Sequence, residues 1–324
     1  MTVLHIGTLN CRGGSNKVDL LIDTIEKSSI DILCMQETHL INDSDKIKIE
    51  RICKGNLYLN NGNANSRGVA TFVREKEEII TDKITIKKDY FGRMLNIQIK
   101  IRSENWCISN IYAPNGATER SDFFSKIDHD IQNLSSERIF LLVDFNNILD
   151  RQLDRNNNDT KGAMKSDKSK DVLRRLIESN CLVDGYRHLN PFGINYTFTG
   201  SSGYRARLDR IYIDNESVKS IASVTTQGVP YTDHDLVTLT FGEYERSVKW
   251  GNGRWILNKK LLFDRQTQDD LRDLWLHWRE RKACHSSILD WWDEGKKLIA
   301  DVYKINGKRL KEIRKKKNGI WKRS

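Results

Sequence analysis

The chain has 324 residues, 38% of them hydrophobic and only 3 of them proline, with a formal net charge of +10; that is enough apolar chain for one large core plus an appendage, and it excludes a proline-rich disordered chain. The six cysteines, Cys11, Cys34, Cys53, Cys107, Cys181 and Cys284, form no CxxC pair, which argues against a zinc knuckle or a disulfide framework and for ordinary reduced thiols. The N-terminus alternates like a strand instead of leading from charge into an apolar segment, and no apolar run approaches the ~18 residues of a membrane span, so a soluble, intracellular protein without a membrane partner is expected.

In chain order, residues 3–9, 30–35, 68–73, 95–101, 106–111 and 138–143 read as strands, by β-branched content with alternation or short apolar runs. Apolar residues recur at helical spacing over 18–26, 121–134 and 168–177. Further on, 196–199 and 207–213 flank the turn cluster Gly200-Ser201-Ser202-Gly203, which predicts a hairpin with a basic tip at Tyr204 and Arg205. Residues 218–227 and 236–241 complete the strands. Crossover helices mixed with hairpin-like neighbours suit a layered α/β fold with mixed sheets.

After Gly242 the texture changes. Helical stretches are expected over 262–282 and 287–317, and the segment holds all but one of the eight tryptophans. It also carries the positive excess, since residues 1–242 are close to neutral. A domain boundary near 243 is therefore expected, separating 1–242 from a basic helical extension, 243–324. A basic appendage on a neutral domain points to a polyanion, nucleic acid before an acidic membrane surface. Leu271, Leu274, Trp275 and Trp278 have the spacing of a packing face, while 308–317, dense in Lys and Arg, suits backbone phosphates or nuclear targeting.

Four polar groups end or follow apolar strands or lie within one: Asn10, Glu37, Asp144 and Asp209. Singly, each reads as the start of a turn; together they mark one rim of a sheet, where open α/β proteins gather catalytic groups. Asp144 and Asn146 lie two apart, so in an extended segment both would face the same way. Tyr231-Thr232-Asp233-His234-Asp235 adds a carboxylate beside an imidazole, just before an apolar strand. Phosphodiester hydrolysis needs a balancing cation, a base or positioned water, and help for the leaving oxygen, and these residue types supply each part.

The motifs Leu9-Asn10, Gln36-Glu37-Thr38, Asn110-Ile111-Tyr112-Ala113-Pro114-Asn115, Asp144-Phe145-Asn146, Arg207-Leu208-Asp209-Arg210-Ile211-Tyr212 and Thr232-Asp233-His234 resemble the endonuclease/exonuclease/phosphatase superfamily and run across nearly all of 1–242. Within it the chain looks most like the endonuclease at the front of LINE-type (non-LTR) retrotransposon reverse-transcriptase polyproteins. Residues 150–155, the phrase Leu182-Val183-Asp184-Gly185-Tyr186-Arg187, and Gly253-Arg254-Trp255-Ile256-Leu257-Asn258, similar to a linker toward the polymerase, carry that closer match.

The resemblance implies a two-layer mixed β-sandwich flanked by helices, continuous with a reverse transcriptase domain, and a magnesium-dependent endonuclease, with manganese tolerated. It would nick double-stranded DNA in the nucleus and leave 3′-hydroxyl and 5′-phosphate ends. Glu37 would be the principal metal ligand, with Asn10 and Asp233 near the metal. Asp144 would orient or deprotonate water, Asn146 would bond the scissile phosphate, His234 paired with Asp209 would stabilise developing charge, and Tyr112 would donate to the phosphate or its leaving oxygen. Asn115, Arg155, Thr197, Tyr204, Arg205 and Thr232 would touch nucleic acid, with a modest A/T-leaning preference from the 200–205 hairpin and RNA as a further ligand of the basic tail.

Two alternatives stand beside this reading: an abasic-site repair nuclease or ribonuclease of the same superfamily, and a catalytically weakened DNA-binding module. The second rests on Val143, which stands where the family usually has glycine before Asp-Phe-Asn. A β-branched residue there would strain the strand end if the position needs positive φ or close backbone approach.

Overall fold

The computed structural model describes residues 3–40, 43–62, 67–132, 136–156, 167–242, 257–285 and 287–320. In chain order these form β1 (Leu4–Asn10), α1 (Val18–Lys27), β2 (Ile32–Gln36), α2 (Asp43–Cys53), β3 (Gly55–Asn60), β4 (Val69–Arg74), β5 (Ile79–Lys88), β6 (Met94–Ile101), β7 (Glu104–Tyr112), α3 (Ala117–Gln132) and β8 (Arg138–Asp144). There follow α4 (Ser169–Ser179), β9 (Leu182–Asp184), α5 (Gly185–Leu189), β10 (Phe198–Thr199), β11 (Arg205–Ala206), β12 (Asp209–Asp214), β13 (Ile221–Gly228), β14 (Asp235–Phe241), α6 (Arg265–Glu280) and α7 (Ile288–Ile320). Two compact units result, Met1–Ser247 and Val248–Ser324. The boundary expected at 243 and most of the Gly253–Asn258 phrase fall outside the described residues.

The first unit is built on two six-stranded sheets, β13-β14-β1-β2-β4-β3 and β5-β6-β7-β8-β12-β9. Both are mixed: β1 runs parallel to β2 and β7 parallel to β8, while the remaining neighbours are antiparallel. Their facing rows interdigitate in one cluster that includes Ile6, Ile32, Ile97, Ile108, Phe140, Leu142, Ile211 and Leu239. Helices cover both outer faces. Val18, Leu21, Ile22 and Ile25 form the apolar stripe of α1, which packs with Leu9, Leu33 and Met35. On the other side Phe124, Ile127 and Ile131 of α3 and Leu173 and Leu176 of α4 meet Ile111, Leu141 and Val143. The expected sandwich flanked by helices is the fold observed.

Several elements differ from the sequence reading. α3 begins at Ala117, ahead of the expected start at 121, where Arg120 is buried and its guanidinium donates to Pro114 O at 3.0 Å, Asn115 O at 2.8 Å and Asp167 Oδ2 at 2.6 Å. α2 has no such stripe, burying only Ile49 and Cys53, and β5 is a sheet-edge strand with an interrupted register, so neither carries a strong periodic signal. The 200–203 turn does close a hairpin, but its return strand is the two-residue β11; β12 starts afresh at Asp209 and belongs to the large sheet.

In the second unit α6 and α7 pack through tryptophans. The Trp278 and Trp291 rings lie 4.0 Å apart and parallel, and a Cβ on Gly295 would fall 2.1 Å from Trp278, which is why a residue without a side chain sits there. Trp278 is buried, so the packing-face expectation applies to it, whereas Trp275 is 43% exposed. Among the described residues, no helix is long and apolar enough to cross a membrane. Cys11, Cys34, Cys53, Cys107 and Cys181 are free thiols.

Candidate active site

Strand alternation explains where the site forms. The inward rows of the sandwich begin apolar and end polar at one rim: Leu4, Ile6, Thr8, Asn10 on β1; Ile32, Cys34, Gln36 on β2; Phe140, Leu142, Asp144 on β8; Ile213, Ile211, Asp209 on β12. Register then sets the polar ends side by side, since Tyr112 pairs with Asp144 and Asp144 with Asp209. Across the sandwich, Asn10 Nδ2 donates to Asp144 Oδ2 at 2.9 Å and to Glu37 Oε1 at 3.0 Å, so one amide joins both sheets. Beneath them Gln36 Nε2 donates to Asn110 Oδ1 at 2.8 Å, while Asn110 donates to the Met35 and Ala70 carbonyls at 3.1 and 2.8 Å.

His234 precedes β14 and is buried beside Asp209, with Nδ1 to Oδ2 at 2.8 Å. Burial disfavours the charged ring, but the Asp209 carboxylate outweighs it and raises the imidazole to about 10, a shift that favours the charged ring. Asp144 is likewise raised, from 3.8 to about 6, by burial and by the Asp209 charge, which for a carboxyl group favours the neutral form. Tyr112 is held well above the ordinary phenol range by burial and the adjacent Glu37, and is therefore a donor. An open cleft of about 300 Å³ lies over these groups, lined by Asn10, Arg12, Glu37, Asn115, Asn146, Phe198, Leu208, Asp233 and His234.

The expected residues are thus brought together, with differences in detail. Asn146 does not continue the strand: its φ is 46°, and its amide N–H turns back to Asp144 Oδ1 at 3.0 Å while Nδ2 donates to Ala113 O at 2.8 Å. Glu37, just past β2, also has positive φ, 49°. Two of the proposed functional side chains therefore sit on left-handed backbone that a non-glycine residue rarely adopts. Val143, by contrast, is not among the described positive-φ residues; it lies in regular pairing with Arg210 and Ile111, fully buried in the α3/α4 cluster. The expectation of a strained strand end is corrected accordingly.

Thr197 is also corrected as a DNA contact. It is fully buried behind Asp209, donating to Oδ2 at 2.6 Å and accepting from the Leu208 and Asp209 amides at 3.0 Å each, so it holds the carboxylate in place instead of facing a ligand. Thr232, half-buried, donates to Asn10 O at 2.9 Å and accepts from the His234 amide at 3.2 Å. Asn115 is exposed at the cleft. Arg155 lies over the Tyr204 ring at 5.0 Å, next to exposed Arg205 on the hairpin. Arg12, which carried no signal in the sequence, lines the cleft and pairs with Asp233 Oδ2 at 2.6 Å.

Oxygen donors dominate the cleft floor. Ligand atoms of Asp144, Asp209 and His234 lie within 4.8 Å of one another, and Glu37 and Asn10 adjoin Asp144 through the shared amide. Asp209 Oδ1 is buried with no hydrogen-bond partner, which is costly unless a cation or water meets it. Hard oxygen donors with a local excess of carboxylate fit a divalent cation of the magnesium class. Asp233 pairs with Arg12 and, like Glu37 and Asn10, lies outside the three-residue cluster, but all three line the same cleft.

Comparison with known proteins agrees in sequence and in shape. Residues 7–234 match the family described as Endonuclease/Exonuclease/phosphatase. Over an alignment 324 positions long that covers 96% of this chain, it is 29% identical to the "Transposon TX1 uncharacterized 149 kDa protein" of Xenopus laevis, of which it covers 24%. It is 30% identical over 182 residues to a DNA-(apurinic or apyrimidinic site) endonuclease of Dictyostelium discoideum, covering 52% of this chain and 48% of that one. The chain thus spans less than half the length of either relative. Among solved structures, the 3′-5′ exonuclease NExo of Neisseria meningitidis superposes with a TM-score of 0.62 at 17% identity, over 74% of this chain and 100% of the other, a likeness of fold.

Proposed function

This chain belongs to the endonuclease/exonuclease/phosphatase family, and on that premise we propose that it is a divalent-metal-dependent endonuclease that nicks double-stranded DNA, as in target-site cleavage by LINE-type retrotransposons. The observation that carries the reading is the single rim at which Asn10 bridges Glu37 and Asp144 while Asp209 orients a charged His234. Magnesium, with manganese tolerated, would be held by Glu37 with Asn10 and Asp233 beside it, and when bound supplies positive charge for the phosphate.

The chain's own groups divide the remaining work. Asp144 orients and deprotonates the attacking water, aided by a carboxyl pKa moved toward neutrality. Asn146 keeps one amide hydrogen on Ala113 O and offers the second to the scissile phosphate. Since Nδ1 of His234 is taken by Asp209, Nε2 is the atom left for the cleft, where the charged ring meets developing negative charge. Tyr112 donates to the phosphate or the leaving oxygen. The products are a 3′-hydroxyl and a 5′-phosphate, the former able to prime reverse transcription in a longer polyprotein. Asn115, Thr232, Arg155, Tyr204 and Arg205 contact the duplex, and the basic residues after 242 add backbone contacts to DNA or RNA.

Similarity to an abasic-site endonuclease favours a second reading, repair of abasic DNA. Supercoiled-plasmid nicking with magnesium or EDTA, on intact and abasic DNA, tests both. Expected are magnesium-dependent nicks in intact plasmid and a loss of about 10³-fold or more in Glu37→Ala and His234→Ala. Strong preference for the abasic plasmid would select the repair reading, and no nicking by the folded chain would reject both.

A further inference from the structure

The turn joining β5 and β6 presents two aromatic side chains to solvent. Tyr90 is 93% exposed and Phe91 54%, with their rings edge to face at 5.5 Å. Exposed aromatic surface is costly in water and is a common stacking platform for nucleobases.

The turn itself is firmly held. Asp89 Oδ1 accepts from the Arg93 and Met94 amides at 2.8 Å each and from Asn60 Nδ2 at 2.8 Å, and Oδ2 accepts from the Phe91 amide at 3.1 Å. Gly92 has φ 68°, and a Cβ there would fall 2.7 Å from Asn61 O, so the turn presses against the end of β3 in a way only glycine permits. Such rigidity lowers the entropy lost when a ligand stacks on the rings.

The same turn is bonded to the catalytic rim from two sides. The Thr38 amide, next to Glu37, donates to Gly68 O at 3.0 Å, and the Gly68 amide donates to Gly92 O at 3.0 Å. The Tyr112 amide donates to Arg93 O at 2.8 Å, and the Arg93 guanidinium lies over the Tyr112 ring at 5.1 Å. Arg67 stands over the Phe91 ring at 5.9 Å, placing a cation beside the aromatics as a phosphate-bearing strand requires.

We propose that Tyr90 and Phe91 stack on an exposed nucleobase of the DNA strand close to the cut, with Arg67 on the adjoining phosphate, so that this turn selects sites whose base step opens readily. The inference rests on the nuclease reading. The pair thereby acts as a recognition element tied through Gly68 to the residue after Glu37 and distinct from the Tyr204–Arg205 hairpin. Flexible pyrimidine–purine steps are the ones expected to yield a base at least cost.

The test uses a short duplex carrying one flexible pyrimidine–purine step, with 2-aminopurine placed in turn at each position around it. In EDTA, addition of the unmodified chain should quench 2-aminopurine at one or two positions by stacking, and Tyr90→Ala combined with Phe91→Ala should abolish that quench. In magnesium, the same double variant should raise KM about tenfold with kcat little changed, while Tyr90→Phe retains the original KM. Identical quenching and KM in the double variant overturn the inference. If the unmodified chain does not cut, the nuclease reading fails, and the quench in EDTA still decides whether the turn stacks on DNA.

Discussion

Glu37 and Asn146, with φ of 49° and 46°, occupy backbone conformations that the strands before them do not impose. Left-handed backbone costs a non-glycine residue roughly 1–2 kcal/mol, and both positions retain side chains that face the cleft. Val143 is the opposite case. Its neighbours are regular strands and its side chain fills the cluster of Met94, Phe124 and Phe145, so glycine there removes packing without relieving strain. Val143→Gly is expected to destabilise the chain by about 3 kcal/mol in urea unfolding and to nick no faster. Faster nicking by the glycine variant would restore the idea of a constrained strand end. His234 and Thr197 show how one carboxylate, Asp209, is oriented from two sides, by a ring and by a hydroxyl.

Among the elements, the segment between β11 and β12 depends on a buried ion cluster centred on Asp154. Its carboxylate accepts from Arg207 Nε at 2.8 Å, Arg187 Nη2 at 2.8 Å and Arg210 Nη2 at 3.2 Å, and Arg207 also reaches Asp184 Oδ2 at 2.7 Å. Arg207 and Arg210 flank Asp209, so the cluster fixes the start of β12, and Asn156 nearby holds the hairpin: its Oδ1 accepts from the Arg205 amide at 2.9 Å and its Nδ2 donates to Gly203 O at 2.9 Å. Burial opposes the Asp154 charge, but Arg210 and Arg207 lower its pKa from 3.8 to about 2. Because the folded value is the lower one, the cluster's contribution is present above about pH 4, and is lost as pH falls toward 2. Asp154→Asn leaves three guanidiniums short of a buried partner and should cost about 3–5 kcal/mol. Acid titration followed by circular dichroism should show that the variant has lost part of the stability decline that the parent shows between pH 4 and 2. A variant as stable as the parent at pH 7 would show that the cluster is dispensable.

For the whole molecule, the three hydrophobic clusters found among the described residues of the first unit all lie between Leu4 and Phe241, so that core draws on none of the described basic residues that follow. A chain ending at Ser247 is expected to fold and to nick plasmid with unchanged kcat. Its KM should depend less steeply on salt, since fewer lysines and arginines release counterions from DNA. An unchanged salt slope would remove the tail from the DNA-binding surface.

The sequence by itself determined the layered α/β class and most of the rim. Strand ends pointed to Asn10, Glu37 and Asp144, and the ordered motifs that resemble the family added Asp209 and His234, because a polar residue next to an apolar strand is a local signal that gains meaning only in combination. Tertiary structure alone decided what those residues touch. Asn10 lies 134 residues from Asp144, and Arg12 lies 221 from Asp233, distances that no local pattern encodes. Thr197 could be read as a DNA contact until packing buried it behind Asp209, and Asn146 as a strand residue until its backbone turned left-handed. The exposed Tyr90–Phe91 turn gave no periodic signal; it became meaningful only when hydrogen bonds through Gly68 and Arg93 fixed it to the rim. Periodicity reports which face of a strand is buried, whereas the partner across the sandwich depends on how two sheets close over each other.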